Sequence, residues 1–217
     1  MKALLVDLYD TLLWVDWRPL GDRLAARLAV DGDTLLRAFE TTSTARGTGH
    51  YGSLRGDLAA IAEAAGAGRD PASLASLEDE LMTLLPRGAH LYDEVRPVLR
   101  DLREAGTRIA IVSNCDHATR PLLAHLGLVD EVDATVLSCE VGRLKPDRAI
   151  FEHALAKLDV GAGQAVFIDD QPRFLAGARA LGIRTLRMVR ATHYPTFADN
   201  DDGGDPVIAD LTQLAGL

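Results

Sequence analysis

The sequence predicts an α/β protein: a doubly wound parallel sheet, interrupted directly after its first strand by an inserted helical unit. Three observations predict it. The chain opens on an apolar run, Ala3 to Val6, closed by Asp7 and polar turn residues, the pattern of a buried central strand that delivers an acid to its carboxyl end. Apolar residues then recur at i, i+3, i+4 and i+7 up to about Glu94, which is a helical period. From Val95 onward short strands are separated by single helices, and that order requires right-handed crossovers and parallel pairing. The expected partition is a sheet-bearing core from residues 1–14 and 95–217, with residues 15–94 as the insert.

The elements follow in order. Within the insert, WRPLGDRLAARLAV, DTLLRAFETT, LRGDLAAIAEAAG and PASLASLEDELMTLL read as helices, with Asp33 as an N-cap and Gly66 as a stop. The polar link ARGTGHYGS interrupts that pattern; it is either a plain interhelical loop or a segment whose Arg46, His50 and Tyr51 reach a site. The core then reads as helix Val95 to Ala105, strand RIAIVS, a helix to Leu126, strand ATVLS, helix IFEHALAKL, strand AVFID, a helix to Leu181 and strand RTLRMV. The acidic, Gly-rich stretch at 198–206 lacks the ligand spacing of a calcium loop and reads as a solvated loop.

Composition narrows the function classes. With 217 residues, 47% apolar residues and mean hydropathy near zero, the chain can build an ample core. A net charge of −9 without a basic cluster argues against a nucleic-acid or anionic-membrane surface, so a small anionic substrate would need a local positive site. Acids interrupt the first apolar run too early for a signal peptide or a membrane span, so a cytoplasmic location is the default expectation. The two cysteines, Cys115 and Cys139, lack metal-ligand spacing and read as packing thiols of a reducing compartment. A monomer or homodimer is expected.

The chemistry-bearing residues stand at strand ends, where open α/β sheets bind ligands. Period-2 alternation would put Asp7, Tyr9 and Thr11 on one side of the chain and Asp10 on the other. Ser113 and Asn114 end the strand IAIVS; the hydroxyl could grip an anion or cap a helix, and a His in the following first turn, His117, reads as a surface residue. Lys145 is one of only three lysines among the 23 basic residues and stands before a Pro and the N-capping Asp147; its compact ammonium suits a carboxylate and a transferring group together. Asp169 and Asp170 close the strand AVFID, and adjacent carboxylates there are costly without a cation, for which Mg²⁺ has the right ligand chemistry.

These four motifs, in this order, resemble those of the haloacid dehalogenase-like (HAD) hydrolases. The resemblance implies a Rossmann-like core with a helical cap inserted after the first motif, and Asp7 as the nucleophile. It implies that Thr11 orients the motif, that Ser113 and Asn114 bind the substrate anion, with Arg46 reaching in from the cap, and that Lys145 neutralises the reacting groups. It assigns Mg²⁺ to Asp7, Asp170 and the Tyr9 carbonyl, with Asp169 close behind. One departure stands out: phosphatases of the family carry an acid/base Asp where this chain has Tyr9, whereas its 2-haloacid dehalogenases carry a Tyr there but lack the Asp169–Asp170 pair. The resemblance therefore implies a Mg²⁺-dependent hydrolase of a small phosphorylated metabolite acting through an aspartyl-phosphate. A dehalogenase and a non-catalytic phosphate-binding module are the alternatives.

Overall fold

The computed structural model describes residues 1–68, 70–190 and 204–214. Strand β1 (Ala3–Val6) leads through a tight loop to β2 (Leu13–Val15) and then to four helices: α1 (Trp17–Leu28), α2 (Gly32–Gly47), α3 (Leu54–Ala64) and α4 (Pro71–Gly88). β3 (Ala89–Leu91) returns antiparallel to β2, so the chain leaves and re-enters the sheet region through a two-stranded ribbon. There follow α5 (Val95–Glu104), β4 (Arg108–Ser113), α6 (Thr119–His125), β5 (Ala134–Leu137), α7 (Ser138–Val141), α8 (Arg148–Leu158), β6 (Ala165–Asp169), α9 (Pro172–Arg179), β7 (Arg184–Met188) and β8 (Val207–Ile208).

The sheet is parallel and six-stranded, in the order β5-β4-β1-β6-β7-β8. This is the α/β architecture expected from the alternation. β1 is fully buried and pairs with β4 on one side and β6 on the other, so its carboxyl end lies at the centre of the binding edge. Alternation divides its side chains. Leu4 and Val6 join the apolar core shared with α5, α6 and the inserted helices, whereas Ala3 and Leu5 join the core under α8 and α9.

Several local expectations are corrected. The N-cap of α2 is Asp31, whose side chain accepts from the Thr34 N–H at 2.7 Å, and Asp33 lies inside the first turn. α2 runs on to Gly47, so Arg46 belongs to its last turn rather than to the polar link. Gly66 does end α3, with φ +73°, a conformation that costs glycine little. The helix after β4 starts only at Thr119, so Ser113 caps no helix. The 198–206 stretch lies outside the described residues up to 203. Asp205 within it is buried, not solvated, and accepts from Arg179 Nη1 at 2.7 Å and from the Thr185 hydroxyl. Among the described residues, no helix is long and apolar enough to cross a membrane.

Candidate active site

The ends of β1, β4 and β6 and the loop before α8 converge on one cavity of about 620 Å³, lined among others by Asp7, Tyr9, Ser113, Asn114, Lys145 and Asp170. Its floor is a charge cluster. Lys145 Nζ donates to Asp7 Oδ1 at 2.5 Å and to Asp169 Oδ2 at 2.6 Å, and all three side chains are buried. Phe167 and Phe174 present ring faces to the same ammonium, with centroids 5.5 and 4.9 Å away. Burial works against the charged Lys145, yet the Asp169 and Asp7 carboxylates outweigh it and hold the ammonium above the ordinary lysine value.

The acids outnumber that single cation. Asp7, Asp169 and Asp170 each offer a carboxylate oxygen, all within 4.8 Å of one another. Burial, with the negative charges of Asp7, Asp169 and Asp10 added, pushes Asp170 up to about 9. Burial likewise raises Asp7 to about 7 against the pull of Lys145. A cluster of hard oxygen donors that resists full ionisation beside one lysine has the chemistry of a divalent-cation site, and it can hold a metal ion.

The loop after Asp7 departs from simple alternation. Asp10 adopts φ +58° and turns the chain, so Asp10 lines the cavity together with Tyr9, while Thr11 is fully buried, absent from the cavity wall and, among the described residues, without a partner for its hydroxyl. The loop is instead clamped from outside. Arg190 donates to the Thr11 carbonyl from Nε at 2.9 Å and from Nη2 at 2.7 Å, pairs with Glu94 and covers the Tyr92 ring. Tyr9 turns its hydroxyl to the Thr119 side chain at 3.0 Å, and burial raises its pKa further above the ordinary phenol range.

Ser113 and Asn114 divide their work. The Ser113 hydroxyl is buried on the cavity wall with no partner among the described residues, so its hydrogen-bonding capacity is open to a ligand. The Asn114 amide is occupied: it donates to the Lys145 carbonyl at 3.0 Å and accepts from the Lys145 N–H at 2.7 Å, which fixes the lysine's backbone. Asn114 thus positions Lys145 more directly than it offers its side chain to a substrate. Gly177 completes the support; a Cβ there would lie 2.4 Å from the Pro146 carbonyl, so only glycine lets α9 close on this segment.

The inserted helices reach the site through the loop 114–118. Arg46, buried at the end of α2, pairs with Asp116, donates to Thr42 Oγ1 at 3.0 Å and to the Phe39 carbonyl at 3.1 Å, and lines the cavity. Asp57 of α3, 1% exposed, accepts from the His117 N–H at 3.2 Å, and the His117 ring Nδ1 lies 2.7 Å from the same oxygen. His117 is therefore a half-buried contact to the insert, not a solvated residue. Asp116, which follows the Ser113–Asn114 motif and reads from the sequence as no part of the site, lines the cavity, whereas nothing in the sequence marks Arg190, and a carboxylate at a helical core position is the one hint for Asp57. His50 and Tyr51 pack edge-on against each other at 5.1 Å and do not line the cavity, whereas Cys139 is buried and Cys115 reaches the wall as a free thiol.

The model of the haloacid dehalogenase-like hydrolases matches residues 1–182, and the chain belongs to this family. It is 36% identical over 118 residues to the ribulose-1,5-bisphosphate 5-phosphatase of Halopiger xanaduensis, covering 54% of this chain and 49% of that protein. It is 30% identical to the phosphoglycolate phosphatase of Rhodospirillum rubrum over 83% of this chain and 70% of that one. For several of the curated relatives it matches, the chain spans only about half of their length. A solved 2-haloacid dehalogenase from Pseudomonas syringae pv. tomato is 25% identical, with a TM-score of 0.68 over 99% of this chain and 97% of that one.

Proposed function

We propose that this protein is a Mg²⁺-dependent phosphohydrolase of small phosphorylated compounds. The observation that carries this reading is the excess of carboxylates: three acids share one lysine at the point where the substrate must enter. A phosphoryl dianion would be repelled there unless a cation offset the charge, and the phosphatases among its relatives support the same class. Asp7, Asp170 and the Tyr9 carbonyl would hold Mg²⁺, which when bound supplies positive charge against the phosphoryl oxygens.

This chain's own residues do the rest. Asp7 Oδ attacks phosphorus, the bond from phosphorus to the leaving oxygen breaks, and its electron pair leaves with the alcohol, phenol or acid. Lys145 holds the attacking carboxylate and steadies the charge building on the transferring group, while Asp169 holds Lys145. The free Ser113 hydroxyl donates to a phosphoryl oxygen, and Arg46 stands at the cavity wall as a further cation. Water then attacks phosphorus, the bond to Asp7 breaks, and inorganic phosphate and free Asp7 result. Tyr9 is no substitute for an acid/base carboxylate, because its proton is held and its hydroxyl is tied to Thr119. Asp10 is the acid left on the wall, its carboxyl raised by burial.

Tyr9 also favours a second reading, a 2-haloacid dehalogenase, since halide departs from carbon without a proton. The carboxylate cluster opposes it, because it would repel a haloacid. The deciding experiment assays purified protein with Mg²⁺, and with EDTA, against aryl, acyl and alkyl phosphates and 2-haloacids, reading phosphate and halide. Phosphate release that EDTA removes and Mg²⁺ restores is expected, with aryl and acyl phosphates ahead of alkyl ones. Tyr9→Asp should raise alkyl-phosphate turnover, within the roughly 10²–10⁴-fold worth of a placed acid–base. Metal-independent halide release would replace this reading by the dehalogenase.

A further inference from the structure

A second cavity, of about 500 Å³, lies among the inserted helices beside the first. The two share four lining residues, Tyr9, Trp17, Arg46 and Asp116, so these form their common boundary. Their linings differ in kind. The first is built on carboxylates, Lys145 and Ser113; the second is walled by aliphatic and aromatic side chains of α1 to α4, among them Leu24, Leu35, Phe39, Leu58 and Ile61. Apolar surface around a space of this size is ordinarily covered by a ligand or by packing. Gly21 and the exposed Gly32 stand at the edge of this space, and a Cβ on either would meet nothing within 4 Å. Trp17 and Leu36, 50% and 56% exposed, belong to the same wall, and they are two of the five large exposed hydrophobic residues among those described.

We propose that this cavity receives the carbon skeleton of the substrate, and that the substrate is an amphiphile: an anionic phosphoryl group on an aliphatic or alkyl-aryl body. The inference rests on the phosphohydrolase reading for the head group and extends it to the tail. The order of the parts agrees with it. The anion lies against Ser113 and Lys145, the body passes between Tyr9 and the Arg46–Asp116 pair, and the tail ends among the leucines of the insert. Sugar phosphates and short hydroxy-acid phosphates would leave this apolar surface uncovered, so they would bind less well than a lipophilic ester of the same charge.

The test reads binding separately from turnover. With Mg²⁺ present, the Kd of n-alkylphosphonates from ethyl to octyl is measured by calorimetry, and phosphate release is measured in parallel on 4-alkylphenyl phosphates. The Kd should tighten about fourfold per methylene until the cavity is full. Gly21→Leu places a side chain in the open space on a better helix former than glycine, and it should flatten that dependence; Gly32→Leu repeats the test from α2 should the first variant fold poorly. A Kd independent of chain length, no binding at any length, or an unchanged dependence in both folded variants overturns the proposal. Chain-length-dependent binding without phosphate release leaves the cavity assignment standing and removes the phosphohydrolase reading. Turnover without chain-length dependence does the reverse.

Discussion

Charge is handled in opposite ways at the strand ends and at the face of the inserted helices. At the strand ends Asp7, Asp169 and Asp170 crowd around one ammonium, and burial, with the neighbouring carboxylates adding to it, raises the pKa values of Asp7 and Asp170. On the insert, each polar group that crosses the boundary meets one partner: Arg46 pairs with Asp116, and Asp57 accepts from the His117 N–H. An unbalanced cluster is tolerable in a folded protein when a ligand completes it, whereas a balanced pair serves to hold two segments in register. The first region thus suits the chemistry proposed above, and the second places the loop 114–118, and with it Ser113, under the helices.

The comparison breaks most sharply at Asp7. Asp7→Asn keeps the shape and removes the nucleophile of the proposed mechanism, so turnover should fall by roughly 10³-fold or more, as when other covalent nucleophiles are deleted. Its Tm should stay the same or rise, because one buried charge is gone. A variant retaining more than a few per cent of activity would take the nucleophile role away from Asp7.

Lys145→Met removes the compensating cation and leaves the buried Asp7 and Asp169 carboxylates without a counter-charge among the described residues. Breaking such a pair typically costs about 3–5 kcal/mol, read as a lower midpoint in denaturant at neutral pH. Acid should relieve the loss, since the orphaned carboxyls can then protonate. Equal stability of wild type and variant across pH would mean that the cluster is far more hydrated than its burial indicates.

The surplus of acid also sets a pH dependence. Asp170 goes from its ordinary 3.8 to about 9 in the folded protein, chiefly through burial, so the folded state binds that proton more tightly than the unfolded one. Stability of the metal-free protein should therefore be greatest at low pH in this respect and decline as pH rises from about 4 to about 9, with Asp7 adding its share up to about 7. Under the proposed function, Mg²⁺ would compete with those protons. The rise in Tm on adding it should be larger at pH 9 than at pH 6, and titration in weak buffer should release protons. An increment independent of pH would place the metal elsewhere.

The smallest effect belongs to the balanced side. Asp57→Ala deletes an acceptor for the His117 N–H and ring, a loss of about 1–3 kcal/mol. Burial raises the Asp57 carboxyl against those hydrogen bonds, so part of that loss is returned when the buried charge goes. A Tm lowered by a few degrees is expected, with KM affected more than kcat. A collapse of kcat with unchanged KM would instead make Asp57 part of the chemistry.

Legible in the sequence were the α/β class, the parallel sheet, the run of helices after the first strand and the strand ends carrying Asp7, Ser113 and Asp169–Asp170, whereas Lys145 lies in the loop before α8 rather than at a strand end. The legible parts follow from periodicity and from what stands next to an apolar run, features of neighbouring residues along the chain. Asp31 took the cap assigned to Asp33, and α2 absorbed Arg46, because helix ends answer to hydrogen bonds that a period does not specify. The fold alone set the partners: Arg190 on the Thr11 carbonyl across 179 positions, Arg46 on Asp116 across 70, Asp57 on His117 across 60, and Asn114 on the Lys145 backbone across 31. It also decided that Asp10 rather than Thr11 faces the cavity, through a single left-handed residue, and that the insert keeps an apolar space beside a polar one. Pairing, cavity shape and backbone handedness depend on what folding brings together from distant parts of the chain, and no local pattern encodes that.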